Sequence, residues 1–132
     1  MFVLCTYIED SDNPPNVIII ACSKDESRLE ELKKESEKNE QDRREIIDFF
    51  YRSLNKLVKA NPFDRESTRK MPDNKVAQLY SAWSKSMGDK AFDETFEKFG
   101  PEHMKMYSNA NQIKISSHSL QAFFYIDETE EI

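Results

Sequence analysis

Two kinds of apolar spacing divide the chain. Residues 2–9, FVLCTYIE, are short and rich in β-formers, and residues 17–22, VIIIAC, are apolar without interruption. The first reads as a strand, the second as a strand covered on both faces or nearly so. Between them DSDNPPN is a set of turn formers whose two prolines cannot donate to a ladder, so an antiparallel hairpin is expected. Its simplest register sets Cys5 opposite Cys22.

Helical spacing then takes over. Ser23 with Glu26 three residues on makes a capping box, so a helix begins where the strand stops. Leu29, Leu32, Ile46, Ile47, Phe50, Leu54, Leu57 and Val58 fall on helical spacing, but residues 33–45 are polar throughout. An all-polar stretch has no core to dock on, which favours two helices breaking near Asn39 to Asp42 over one long helix. Asn61-Pro62 ends this segment. Past a connector bounded by Pro62 and Pro72, Asp73 can cap a helix with the stripe Val76, Leu79, Tyr80, Trp83 and Met87, stopped at Gly88. Phe92, Phe96 and Phe99 mark a further short helix closed by Gly100-Pro101. At the end of the chain QIKIS alternates Ile113 and Ile115 as a strand would, SSHS reads as a hairpin turn, and LQAFFYID as a last strand.

These elements predict an α+β fold. A small antiparallel sheet, built from the N-terminal hairpin plus C-terminal strands, carries three to four helices packed on one face. The expected organisation is a single domain over 1–132, with the helical segment 24–110 between the strands; 132 residues are enough to bury a core.

Composition narrows function mainly by exclusion. Nine Phe, five Tyr and one Trp suffice for a packed interior. The two glycines, Gly88 and Gly100, stand at predicted helix ends, so no phosphate-cradling loop is present and no cofactor is implied. Two cysteines are too few for a disulfide scaffold or a cysteine zinc site; Cys5 and Cys22 read as small core residues with reduced thiols. No stretch has the pattern of a secretion signal or a membrane span, which makes a cytoplasmic protein the expectation, with no membrane partner. The hairpin–helix–strand plan, short length and Lys/Glu/Asn-rich composition resemble those of many small proteins of bacteria and their phages. That general likeness implies the cytoplasm of a bacterium or of a phage-infected host cell, and fixes no active site.

The net charge of −6 is unevenly placed. Glu9, Asp10 and Asp12 near the start, and Asp127, Glu128, Glu130 and Glu131 near the end, account for all of it, since the residues between them hold one more base than acids. A nucleic-acid binder needs a basic face, so direct binding of nucleic acid is disfavoured. Two explanations compete for the acids: protection of strand ends against stray pairing, and a patch that meets a protein partner with a basic surface. For chemistry, Asp93 and Glu97 share a helix face, and a reversal at Gly100-Pro101 could bring His103 beside them as a divalent-metal site. A solvated helix face followed by a surface histidine explains the same residues more simply. Ser117-His118-Ser119 pairs a nucleophile with a base only in sequence, and a polar turn accounts for it. The resulting expectation is a non-enzymatic interaction module, a small acidic regulator or inhibitor of a larger machine, for instance an anti-CRISPR-like antagonist of host nucleic-acid machinery. A metal-assisted enzyme using Asp93, Glu97 and His103, or a nucleic-acid-binding regulator, is the alternative.

Overall fold

The structure, a computed structural model, describes residues 1–10, 14, 16–63 and 68–129. Its elements run β1 (Phe2–Asp10), β2 (Asn16–Ser23), α1 (Glu26–Val58), α2 (Asp73–Met104), α3 (Ala110–Ser116) and β3 (Ser119–Glu128). The class is α+β, with an antiparallel sheet in the order β2-β1-β3. Two compact units share the chain, one formed by residues 1–45 and 114–132, the other by residues 46–113.

In the first unit β1 lies between the other two strands. Its pairing with β3 matches Phe2 with Glu128 and Ile8 with Ala122, and Met1 and Thr129 exchange backbone hydrogen bonds beyond the ladder's end. The hairpin register differs from the simplest expectation. Val3 faces Cys22 and Cys5 faces Ile19, because Ile20 is an extra residue opposite the Leu4–Cys5 step. Cys5 is buried as expected; Cys22 is exposed.

α1 begins two residues later than the capping box suggests. Ser23 closes β2 and its hydroxyl accepts the Asp25 N–H, while the Asp25 carboxylate accepts the N–H and O–H of Ser27 and serves as the cap. Those bonds from Ser27 hold the Asp25 carboxyl below its ordinary pKa. From there α1 is a single helix of 33 residues, not two. Its polar middle docks after all, through side-chain polarity. Arg43 Nη2 lies 2.7 Å from Glu40 Oε1, Arg43 Nη1 donates to the Ser116 carbonyl at 2.7 Å, and the Ala122 N–H donates to Glu40. Both side chains are mostly buried, and such charge-assisted bonds compensate their desolvation.

The second unit is helical. Ile46, Phe50, Ala91, Met104, Tyr107, Ala110 and Ile113 form its core, with Leu54, Leu57, Phe92 and Phe99 packed against it. α2 passes through Gly88 without stopping, since Met87, Ala91 and Thr95 continue one buried stripe past it, and a helix-interior glycine costs only about 1 kcal/mol. Pro72, not Asp73, occupies its N-cap position. The break comes at Gly100, whose φ of 82° and ψ of 168° no other residue type adopts readily, and Pro101 opens the final turn.

QIKIS is helix, not strand. Asn109 accepts the Gln112 N–H, and the Gln112 side chain accepts from Ser108, a reciprocal cap at the start of α3. Ala110 and Ile113 are buried on one helical face while Ile115 points out, so the two isoleucines do not share the single face that a strand would give them. β3 is therefore the one C-terminal strand among the described residues, and Ser117-His118 is the turn that ends α3, with His118 N–H donating to the Ile115 carbonyl.

Candidate functional site

Directly opposite residues in antiparallel strands share a face, so the register sorts the sheet's side chains. Leu4, Thr6 and Ile8 of β1 share one face with Ile18 and Ala21 of β2 and with Ala122, Phe124 and Ile126 of β3. Val3, Cys5, Tyr7 and Glu9 share the other with Val17, Ile19 and Cys22, and with Phe123, Tyr125 and Asp127. Along β3 exposure alternates with this division: Ala122, Phe124 and Ile126 are half-buried, Phe123, Tyr125 and Asp127 exposed. On this second face Val3 and Cys5 of the central strand are buried, while the side chains that β2 and β3 contribute are exposed.

Its centre is apolar. Val17 is 53% exposed, Ile19 62%, Phe123 43% and Tyr125 39%. Tyr7 and Phe123 lie in ring contact at 6.3 Å. Tyr125 stands opposite Cys5; partial desolvation, the Cys5 sulfur and the Asp127 carboxylate together push its phenol above its ordinary pKa. Apolar side chains gathered on one surface in this way mark contact sites. The continuous apolar run of β2 thus has a different meaning from the one its composition suggests: β2 is an edge strand, and Val17 to Ile20 are all exposed.

The acidic residues frame this face and do not merge. Glu9 lies opposite Gln121 at one end of β1, and Asp127 opposite Val3 at the other. Six residues of strand separate the two ends, about 20 Å. Glu128 faces Phe2 on the covered side, and Asp10 closes β1 opposite Ser119. Asp12, Glu130 and Glu131 lie outside the described residues.

A cavity of about 550 Å³ lies between α1 and β3, lined by Glu37, Glu40, Gln41, Arg44 and Ala122 to Phe124. Burial works to raise the pKa of Glu40, but the bonds and charge of Arg43, the Ala122 N–H and the charge of Arg44 outweigh it, and the carboxyl stays below its ordinary value. Arg44 Nε is buried without a hydrogen bond, 3.6 Å from Glu40 Oε1. An ionised carboxylate locked to two guanidinium groups is a structural pair, poorly suited to proton transfer.

The described residues do not bring the acid–histidine group together as a metal site. Asp93, Glu97 and His103 are each exposed, and among the described residues no group of three or more His, Cys, Asp or Glu side chains could hold a metal ion. The aromatic stripe of α2 is divided. Met87 is buried, whereas Tyr80 is exposed and makes edge and tilted ring contacts in a cluster with Trp83 and Phe63, at ring distances of 5.7 to 6.2 Å. Among the described residues, no helix is long and apolar enough to cross a membrane. No protein-family model, curated protein or solved structure matches this chain.

Proposed function

We propose that the protein is a non-enzymatic interaction module that binds another protein through the open face of its sheet, and so regulates or inhibits a larger assembly. The observation that supports this reading is the exposure of Val17, Ile19, Phe123 and Tyr125 on one face, ringed by Tyr7 and by acids at both ends. An apolar centre with a charged rim is the anatomy of a protein contact, and aromatic residues near its middle are the usual anchors. Glu9 and Asp127 on the rim favour a partner whose matching surface is basic, and steer its approach. One concrete form is an anti-CRISPR-like antagonist, of phage or mobile-element type, acting in the cytoplasm on host nucleic-acid machinery whose groove is built for phosphates.

Capture from extracts of the source cell tests this, comparing the wild type with the double variant Phe123→Ser/Tyr125→Ser and the rim reversal Glu9→Lys/Asp127→Lys. The expected result is one protein retained by the wild type, lost from the face variant, and held with a flatter salt dependence by the rim variant. Equal retention by wild type and face variant, with circular dichroism showing both folded, overturns the reading.

A further inference from the structure

The sheet has two edges, and they are finished differently. At β3, α1 runs alongside: its Glu37, Glu40, Gln41 and Arg44 line one cavity with Ala122 to Phe124, and Glu40 accepts the Ala122 N–H. That amide points away from β1, so the edge is covered by a helix and capped by a charge, both means of preventing strand addition. Among the described residues, neither device is present at β2. Residues 16–23, NVIIIACS, contain no charge and no proline, and in the sheet β2 pairs with β1 alone.

The Ala122 amide also fixes which groups β2 turns outward. In an antiparallel ladder, opposite residues either exchange hydrogen bonds or both point away from each other, in alternation. Ala122 and Ile8 are opposite, and Ala122 points away, so the backbone groups of Ile8 point toward β2. Ile8 then bonds Asn16, and Thr6 bonds Ile18; Val17 and Ile19, opposite Tyr7 and Cys5, direct their N–H and C=O groups outward.

We infer that the chain dimerises by pairing β2 antiparallel with β2 of a second copy, joining two three-stranded sheets into one. This goes beyond the partner-binding reading and rests on the edge, not the face. A two-fold axis through Ile18 lets Val17 and Ile19 of each copy exchange backbone hydrogen bonds with Ile19 and Val17 of the other. Such an interface is self-complementary, as a two-fold contact must be. Its electrostatics match as well: the uncharged strands bring no like charges together, and the Lys24 end of one β2 lies beside the other copy's β2 end next to the Glu9 end of β1. The contact is a single edge strand of eight residues, below the area of a standard interface, which places the association in the weak, concentration-dependent class. Both open faces then lie on the same side of the joined sheet.

Sedimentation velocity of the full chain from micromolar to millimolar concentration tests the dimer. The wild type is expected to pass from monomer to dimer and stop there. Ile19→Pro, which removes an outward N–H at an edge position where proline is tolerated, should remain monomeric. Ile18→Lys and Ile18→Glu place like charges opposite each other across the axis; each alone should be monomeric, and an equal mixture should recover the dimer. A wild type that stays monomeric throughout, an unaltered dimer in Ile19→Pro, or no recovery in the charge-swapped mixture overturns the inference. Partner capture that persists in a monomeric wild type, and depends on Tyr125, would leave the face reading standing while removing this one.

Discussion

Glu40 accepts bonds from Arg43 and from the Ala122 amide, in the middle of a stretch that has no apolar residue from 33 to 45. Its carboxylate ties α1 to β3, and its loss removes two charge-assisted bonds from the mostly buried Arg43. Glu40→Ala should therefore lower unfolding free energy by about 2–3 kcal/mol, read from the urea midpoint. The pH dependence has a definite sign. The folded-state pKa of Glu40 lies below its unfolded value, so its contribution is complete above the ordinary carboxylate pKa of about 4.3 and is lost as pH falls through the folded value. The Glu40→Gln variant should lack that part of the acid destabilisation, and its stability curve should converge on the wild type's at low pH. Gly100 offers a second residue-scale test. A Cβ there would meet nothing within 4 Å, so the cost of Gly100→Ala is conformational, about 2 kcal/mol.

At the scale of elements, what the spacing reveals depends on whether packing or polarity decides. β1, β2, β3, the stop at Asn61-Pro62 and the break at Gly100-Pro101 are legible because β-rich runs, prolines and glycine act locally. The continuity of α1 is hidden, since the contacts that hold its polar centre come from Ser116 and Ala122, far along the chain. α3 carries two opposed signals: Asn109 with Gln112 three residues on is a cap signal immediately before Ile113, but the Ile-Lys-Ile alternation imitates a strand. The two isoleucines separate these assignments experimentally. Ile113→Ala should cost about 3 kcal/mol, as befits a fully buried side chain, and Ile115→Ala within about 0.5 kcal/mol. A strand would treat them alike. The candidate site was half legible: Glu9 and Asp127 stand out by charge, whereas the open face needs the register, which the bulge at Ile20 shifts.

For the whole molecule, the arrangement sets an unprotected apolar surface beside an unprotected edge in the same compact unit. Exposure of this size has a direct readout in the free protein. The wild type should bind an apolar fluorescent dye, and Phe123→Ser/Tyr125→Ser should reduce that signal by half or more while far-ultraviolet circular dichroism is unchanged. Dye binding equal in both would place the exposed apolar surface elsewhere, with the Phe63, Tyr80 and Trp83 cluster the next to test.

The hydrogen bond from Ala122 to Glu40 also governs how far assembly can go. In the language of polymerisation, a sheet with two reactive ends is a bifunctional monomer and grows without limit, whereas one blocked end makes it monofunctional and halts growth at a pair. α1 supplies the blocking group. Glu40→Ala removes the charge but leaves α1 alongside β3, so it should loosen the block only in part: light scattering should rise modestly above that of the pair at high concentration, provided β2 is left intact, and adding Ile19→Pro to the same chain should bring that growth back to a single pairing.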